Sequence, residues 1–269
     1  MSDAKVITSL TNATVKLLAS LRLEKFRQEH GLFLMEGVRT LTDAQHAGAI
    51  PHILAYREDV GSQANVRELA NACAQAGGSV IAVSEEILCK ITQKENPQTL
   101  IGAYPIQRRD FAEIDAQVGR VFIALDRIRD PGNLGTIIRT ADAVGAAGVL
   151  LIGSCCDVYT PECTRASTGS IFHIPIFAGT EQRFLELVGT WPGLVIGTAT
   201  TARIDYRQTP YQKPSLIVMG TEQSGLSDVI AKACRLMVRI PMHGRAESLN
   251  VAVASSLMLY AVHDGLANT

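Results

Sequence analysis

The stretch Ser215-Leu-Ile-Val-Met-Gly-Thr-Glu-Gln-Ser-Gly-Leu226, with Ile240-Pro-Met242 and Glu247-Ser-Leu-Asn-Val251 shortly after it, decides how the chain is read. Ser215 to Met219 is an unbroken apolar run that gives way to Gly220 and polar residues, the pattern of a strand covered on both faces and ending at a site. Similar runs lie at Val121 to Leu125, Gly148 to Ile152, Leu194 to Gly197 and Leu236 to Ile240, with helix-like segments between most of them. This alternation predicts an α/β fold: a mostly parallel sheet with helices on both sides, and ligands beyond the carboxyl ends of its strands. Ser248 and Asn250 open an expected final helix to about Gly265 that is apolar or small nearly all round, so most of its faces must be buried.

Upstream, residues 1–105 read as a separate small α/β unit. Val15, Leu17, Leu18, Leu21 and Leu23 mark a first helix, and Phe33-Leu-Met35 a short strand before Glu36-Gly37. Val38 to Ala47 is a second helix closed by Gly48, where a helix C-terminus favours glycine. Strands follow at Ile53 to Tyr56 and Ser79 to Val83 with a helix between them, and Leu100 to Tyr104 is compatible with the same sheet. Pro97, Pro105 and the polar run Gln107-Arg-Arg-Asp110 place a linker over residues 106–116 and a second domain over 117–269.

Composition bounds the function. The chain has 269 residues, 47% hydrophobic and 19% charged, and its apolar runs stop well short of the ~20 residues of a membrane span. With no signal-like start, a cytoplasmic location and no membrane partner are expected. The six cysteines form no CxxC pair and have no histidine at a metal-like spacing, so reduced, inert thiols and no metal are expected. A net charge of -1 gives no global field for nucleic acid, so a polyanion must be gripped by local patches. Lys16, Arg22, Lys25, Arg27, His30 and Arg39 form one candidate, which charge alone equally describes as a solvated helix face.

After the strand at Val121 comes Asp126-Arg-Ile-Arg-Asp-Pro-Gly-Asn-Leu-Gly-Thr-Ile-Ile-Arg139. Pro131-Gly132 makes a turn and Asn133 is placed to cap the next helix or to meet a ligand, while Arg139 either pairs with Asp142 or serves an anionic ligand. Gly220 to Gly225 lacks both the GxGxxG spacing and the Gly-Lys-Ser/Thr of a P-loop, which counts against phosphate cradling. A nucleotide-dependent oxidoreductase needs a Gly-rich turn after the first strand, and Asp130-Pro-Gly-Asn133 is not one. A hydrolase built on Ser248 and His243 lacks the nucleophile-elbow setting.

Taken in order, Asn133 through Arg139, Gly220 through Gly225, and Ile240-Pro-Met242 with Ser248-Leu-Asn-Val251 resemble the three motifs of the SpoU (TrmH) family of RNA ribose 2′-O-methyltransferases, over roughly Val121 to the C-terminus. Phe33-Leu-Met-Glu-Gly37 is similar to the family's appended RNA-binding domain with an L30e-like fold. The resemblance implies a SPOUT fold with a deep C-terminal trefoil knot, a homodimer, and S-adenosylmethionine as cofactor. Gly220, Ile240, Leu249, Thr198, Met219 and Met242 would hold the cofactor, and Asn133, Arg139, Glu222, Ser248 and Asn250 would serve catalysis. It implies RNA as partner, ribosomal RNA first and tRNA second, with Arg127, Arg129 and Arg165 as further candidate contacts near the active face. A related module that binds cofactor and RNA without catalysis is the main rival, and the joint presence of the five catalytic candidates argues against it.

Overall fold

The computed structural model describes residues 5–117, 119–221 and 223–267. They divide into two compact units: residues up to Gln107 together with Tyr159–Phe172, and Arg108–Val158 together with the chain from His173 onward.

The first unit contains strands β1 (Lys5–Ile7), β2 (Leu32–Glu36), β3 (Ile53–Arg57), β4 (Ser79–Val83) and β5 (Leu100–Pro105) in the spatial order β1-β4-β3-β5-β2. Its helices are α1 (Ala13–Ser20), α2 (Glu24–His30), α3 (Val38–His46), α4 (Ala64–Gln75) and α5 (Glu85–Thr92). Strand side chains alternate between faces. In β2, Leu34 therefore joins Val15, Leu18, Ile87 and Ile91 from α1 and α5 on one face. Phe33 and Met35 join Leu41, Leu69 and Cys73 from α3 and α4 on the other. The second layer is completed by residues far along the chain: the Phe33 ring lies 4.5 Å from Tyr159 and 5.9 Å from Phe172, centroid to centroid. These rings carry Tyr159–Phe172, including α7 (Pro161–Ser167), as part of this unit.

The second unit has β6 (Val121–Asp126), β7 (Gly148–Ile152), β8 (Ile176–Gly179), β9 (Leu194–Thr198), β10 (Ile204–Asp205), β11 (Ser215–Met219) and β12 (Leu236–Arg239), ordered β10-β12-β9-β11-β6-β7-β8. Every described pairing among them is parallel. The five expected apolar runs are β6, β7, β9, β11 and β12, each within a residue of its expected ends. The unforeseen β8 and β10 are the strands at the two sheet edges. Helices α8 (Glu181–Gly189) and α9 (Asp228–Ala233) supply Phe184, Val188 and Ile230 to a core with Phe122, Leu150, Val195 and Leu216. Helix α6 (Pro131–Ala143) and helix α10 (Val251–Ala267) pack on one another, and α10 also packs on β11 and β6.

Two starts differ from expectation. Helix α6 begins at Pro131 with Asp130 as its cap, the Asp130 carboxylate accepting from Asn133 N–H at 2.6 Å. Proline at the first helical position moves the cap to the residue before it, so the Asn133 side chain does not cap this helix. Helix α10 starts at Val251, and Asn250 rather than Ser248 caps it, accepting from Ala252 N–H at 2.9 Å.

Trp191 joins the second unit's core to a sheet connection. Its ring is 1% exposed, meets Phe122 edge-on at 5.2 Å, and donates Nε1–H to the Pro214 carbonyl at 3.0 Å. Trp191→Ala is expected to destabilise this unit by about 3–5 kcal/mol, the range for large buried aromatics. Chemical denaturation with a probe in this unit checks the value.

Candidate active site

Because the strands are parallel, β6, β11, β9 and β12 present their carboxyl ends along one edge. Met219 pairs with Leu125, Val218 with Gly197, and Thr198 with Val238, so the residues following those strands emerge side by side. Thr198 Oγ1 lies 3.4 Å from both the Val218 carbonyl and Met219 Sδ. The edge thus brings together Thr198, Met219-Gly220 and Ile240, from three separate stretches of the sequence.

Gly220 is required by the chain itself. A Cβ there would lie 2.1 Å from the Gly225 carbonyl carbon. Thr221 and Gly225 pair through both backbone bonds, at 3.1 and 3.0 Å, and fold the loop back over Gly220. Gly225 permits the return with φ of 66°. Glu222, within this loop, lies outside the described residues.

Two cavities of about 290 Å³ open in this unit. The first is largely apolar and is lined by Ile240, Pro241, Met242, Leu249 and Leu257, with Tyr206 and Arg207 beside them. Arg207 is held by Asp205 at 2.7 Å, and that hydrogen bond takes the Asp205 carboxyl down to about 2. The second cavity is polar and cationic, with Arg127, Arg129, Asp130, Asn133, Thr221 and Ser224 in its wall. Asn250 Nδ2 donates to Asn133 Oδ1 at 3.0 Å, tying the start of α10 to the first turn of α6 and to this cavity.

The apolar cavity therefore collects Ile240, Met242 and Leu249, while Asn133 and Asn250 meet at the polar one. Thr198, Met219 and Gly220 stand at the strand ends and line neither cavity. Ser248 is exposed and lines neither. Arg139 is exposed on α6 and, among the described residues, its guanidinium has no hydrogen bond or ion pair. Asp142, its alternative partner, instead meets His173 Nδ1 at 3.1 Å. Burial raises both the Cys155 and Cys156 thiols, taking Cys156 up to about 11.

Sequence reasoning missed the support beneath Arg127. Its guanidinium forms a two-pronged pair with Asp126, at 2.9 and 3.0 Å, and Asp126 is 1% exposed. Asp126 also accepts from Ser227 N–H at 3.1 Å, linking the end of β6 to the segment after β11. Arg127 has φ of 54°, an uncommon conformation for a residue with a side chain. The only sequence signal was adjacency of opposite charges at a strand end, which is common on surfaces.

A parallel sheet with an apolar cavity and a second cavity bearing Arg127 and Arg129 beside its carboxyl edge is the arrangement of an α/β protein with room for a small ligand next to an anionic group. Residues 120–260 match the model of the SpoU rRNA Methylase family, and residues 12–102 match the MRM3-like substrate binding domain. The chain is 32% identical to a 23S rRNA (uridine(2479)-2'-O)-methyltransferase of Streptomyces viridochromogenes, covering 96% of this chain and 91% of the relative. It is 28% identical to the 23S rRNA (guanosine(2553)-2'-O)-methyltransferase RlmP of Bacillus subtilis, over 95% and 98% of the two chains. The crystal structure of an AdoMet-bound rRNA methyltransferase from Sinorhizobium meliloti superposes with a TM-score of 0.91 at 38% identity, over 98% of each chain. The chain belongs to the SpoU rRNA methylase family.

The asparagine pair separates chemistry from stability. Asn133→Ala and Asn250→Ala remove the same 3.0 Å bond, but only Asn250 caps α10. Both variants are expected to lose methyl transfer, and only Asn250→Ala to lose about 1 kcal/mol of stability. Activity assays paired with thermal unfolding check this.

Proposed function

We propose that the protein transfers a methyl group from S-adenosylmethionine to a ribose 2′-hydroxyl of ribosomal RNA. The observation that carries this reading is the Asn133–Asn250 bond, which joins two of the three motif segments at the wall of a cavity containing Arg127 and Arg129. The names of the relatives, both acting on 23S rRNA at the 2′-O position, support the substrate class. A cytoplasmic location is proposed with it, and no helix among the described residues is long and apolar enough to cross a membrane.

The residues present fit the cofactor. Ile240, Met242 and Leu249 supply an apolar wall for a purine and a thioether chain, and Thr198, Met219 and Gly220 bring backbone groups to the adjoining strand ends. When bound, the cofactor supplies an electrophilic methyl carbon on a sulfonium. The protein's share is to hold the 2′-hydroxyl in line, stabilise it as it loses its proton, and exclude water. Asn133 and Asn250 position the ribose, with Ser248 beside them. Arg139 binds the adjacent phosphate or the developing alkoxide as a hydrogen-bond donor, since a guanidinium offers no acceptor. The proton passes to Glu222, water or an RNA phosphate.

The C-terminal segment is proposed to be threaded as a trefoil knot and the molecule to pair with a second copy. Supporting the pairing, Val253, Leu257 and Tyr260 lie on one face of α10 and are 50%, 38% and 49% exposed. Leu257 also lines the apolar cavity, so a second copy seated there would shield the cofactor. Tyr260→Asp is expected to give monomers in sedimentation velocity, and a dimeric variant would remove this face from the interface.

S-adenosylmethionine at about 100 times its Kd is expected to raise the melting temperature by about 5 °C or more, and NAD to leave it unchanged. Arg139→Ala is expected to lower methyl transfer by about 100-fold or more with cofactor binding retained. Retained transfer would remove Arg139 from the chemistry.

A further inference from the structure

The largest cavity described lies in the first unit, not at the strand edge that carries the catalytic candidates. It measures about 550 Å³ and is bounded by the β2–α3 corner on one side and α7 on the other. Leu34, Val38 and Pro161 give it apolar wall, and Arg22, Arg39 and Arg165 bring three guanidinium groups to it. Among the described residues these three guanidiniums have neither hydrogen bond nor ion pair. The fourth cation, Lys94, is neutralised by Glu36 at 2.7 Å.

The sequence patch has therefore been sorted by the fold. Arg27 is 2% exposed and donates to the Leu21 and Arg22 carbonyls at 3.0 and 2.6 Å, so it fixes the backbone that carries Arg22 instead of meeting a ligand. Arg22 and Arg39 are left facing the cavity, and the partner that joins them is Arg165, from α7. Unpaired cations beside an apolar wall suit a ligand with both phosphate and a planar ring. At this size the cavity takes a unit of nucleotide dimensions, within the usual range of about 300–1,000 Å³ for ligand pockets.

We propose that this cavity seats one unpaired nucleotide of the RNA substrate, its base against Leu34, Val38 and Pro161 and its phosphate on Arg22, Arg39 and Arg165. The inference rests on the RNA reading above and states how that RNA is gripped away from the reacting ribose. A base inside a duplex is stacked and paired, so only an unpaired nucleotide enters such a cavity. Glu36 stands where a base edge would come, and Lys94 keeps its carboxylate from repelling the phosphate.

Arg165→Ala and Arg22→Ala are each expected to raise KM for ribosomal RNA about ten-fold, with kcat and cofactor affinity unchanged. Each is expected to reduce the slope of log affinity against log salt by about 0.7, one phosphate contact on a single strand. Arg165→Lys restores much of the affinity, and Arg67→Ala, an exposed cation on α4 outside the cavity, changes nothing. Fluorescence anisotropy with a dye-labelled single strand of ribosomal RNA sequence and the matching duplex reads the pocket directly. Loss confined to the single strand supports it. Unchanged affinity, or equal loss for strand and duplex, overturns the pocket and leaves methyl transfer standing. A wild-type protein that binds the strand through Arg165 yet methylates no ribosomal RNA would overturn the proposed function and leave the pocket.

Discussion

Parallel pairing of β6, β11, β9 and β12 is the constraint from which the site follows. Parallel strands need crossovers over the faces of the sheet, so both faces are covered and the strands become apolar throughout. Polar function is thereby expelled to the edge where the strands end. That edge receives Asp126 and Arg127 from β6, Gly220 from β11, Thr198 from β9 and Ile240 from β12. Burial of the sheet thus fixes the geometry of the site before any catalytic side chain is chosen.

Two links then cross the edge. Asn250 to Asn133 joins positions 117 apart, and Ser227 to Asp126 joins positions 101 apart. Each ties a segment following β11 or β12 back to the beginning of the unit. Both use groups that serve local structure at the same time: Asn250 caps α10, and Asp126 holds Arg127. A ligand held between these segments would meet groups whose orientation is already set by folding, which lowers the entropy lost on binding.

Legibility in the sequence followed the range of the interaction. The five central runs were readable because burial on both faces leaves an unbroken apolar signature, whereas β8 and the two-residue β10 have no comparable length of run. The cap of α6 was misplaced because Asp130 and Asn133 are both good caps, and only the proline between them decides. Arg27 reads as surface charge, and nothing local reveals that its partners are the Leu21 and Arg22 carbonyls. The placement of Tyr159–Phe172 was least readable, because it depends on Phe33 and Tyr104, far earlier in the chain. Of the candidate site, the motif residues stood out by type and order, while the Asp126 support and the Tyr206–Arg207 wall did not, since both depend on neighbours brought by the sheet.

The charge balance explains how a chain of net charge -1 can address a polyanion. A diffuse positive field would attract any nucleic acid and fall away with salt, whereas discrete guanidinium groups select by geometry. The arginines of the chain are used in distinct ways. Arg27 is spent on backbone carbonyls inside the first unit, Arg127 is aligned by a buried carboxylate, and Arg22, Arg39, Arg139 and Arg165 have guanidinium groups without partners among the described residues. Arg27 thereby fixes the backbone that carries Arg22, one of the guanidinium groups proposed to reach phosphate. On the proposed reading, local order and not total charge would distinguish an RNA contact from an ordinary surface cation in this protein.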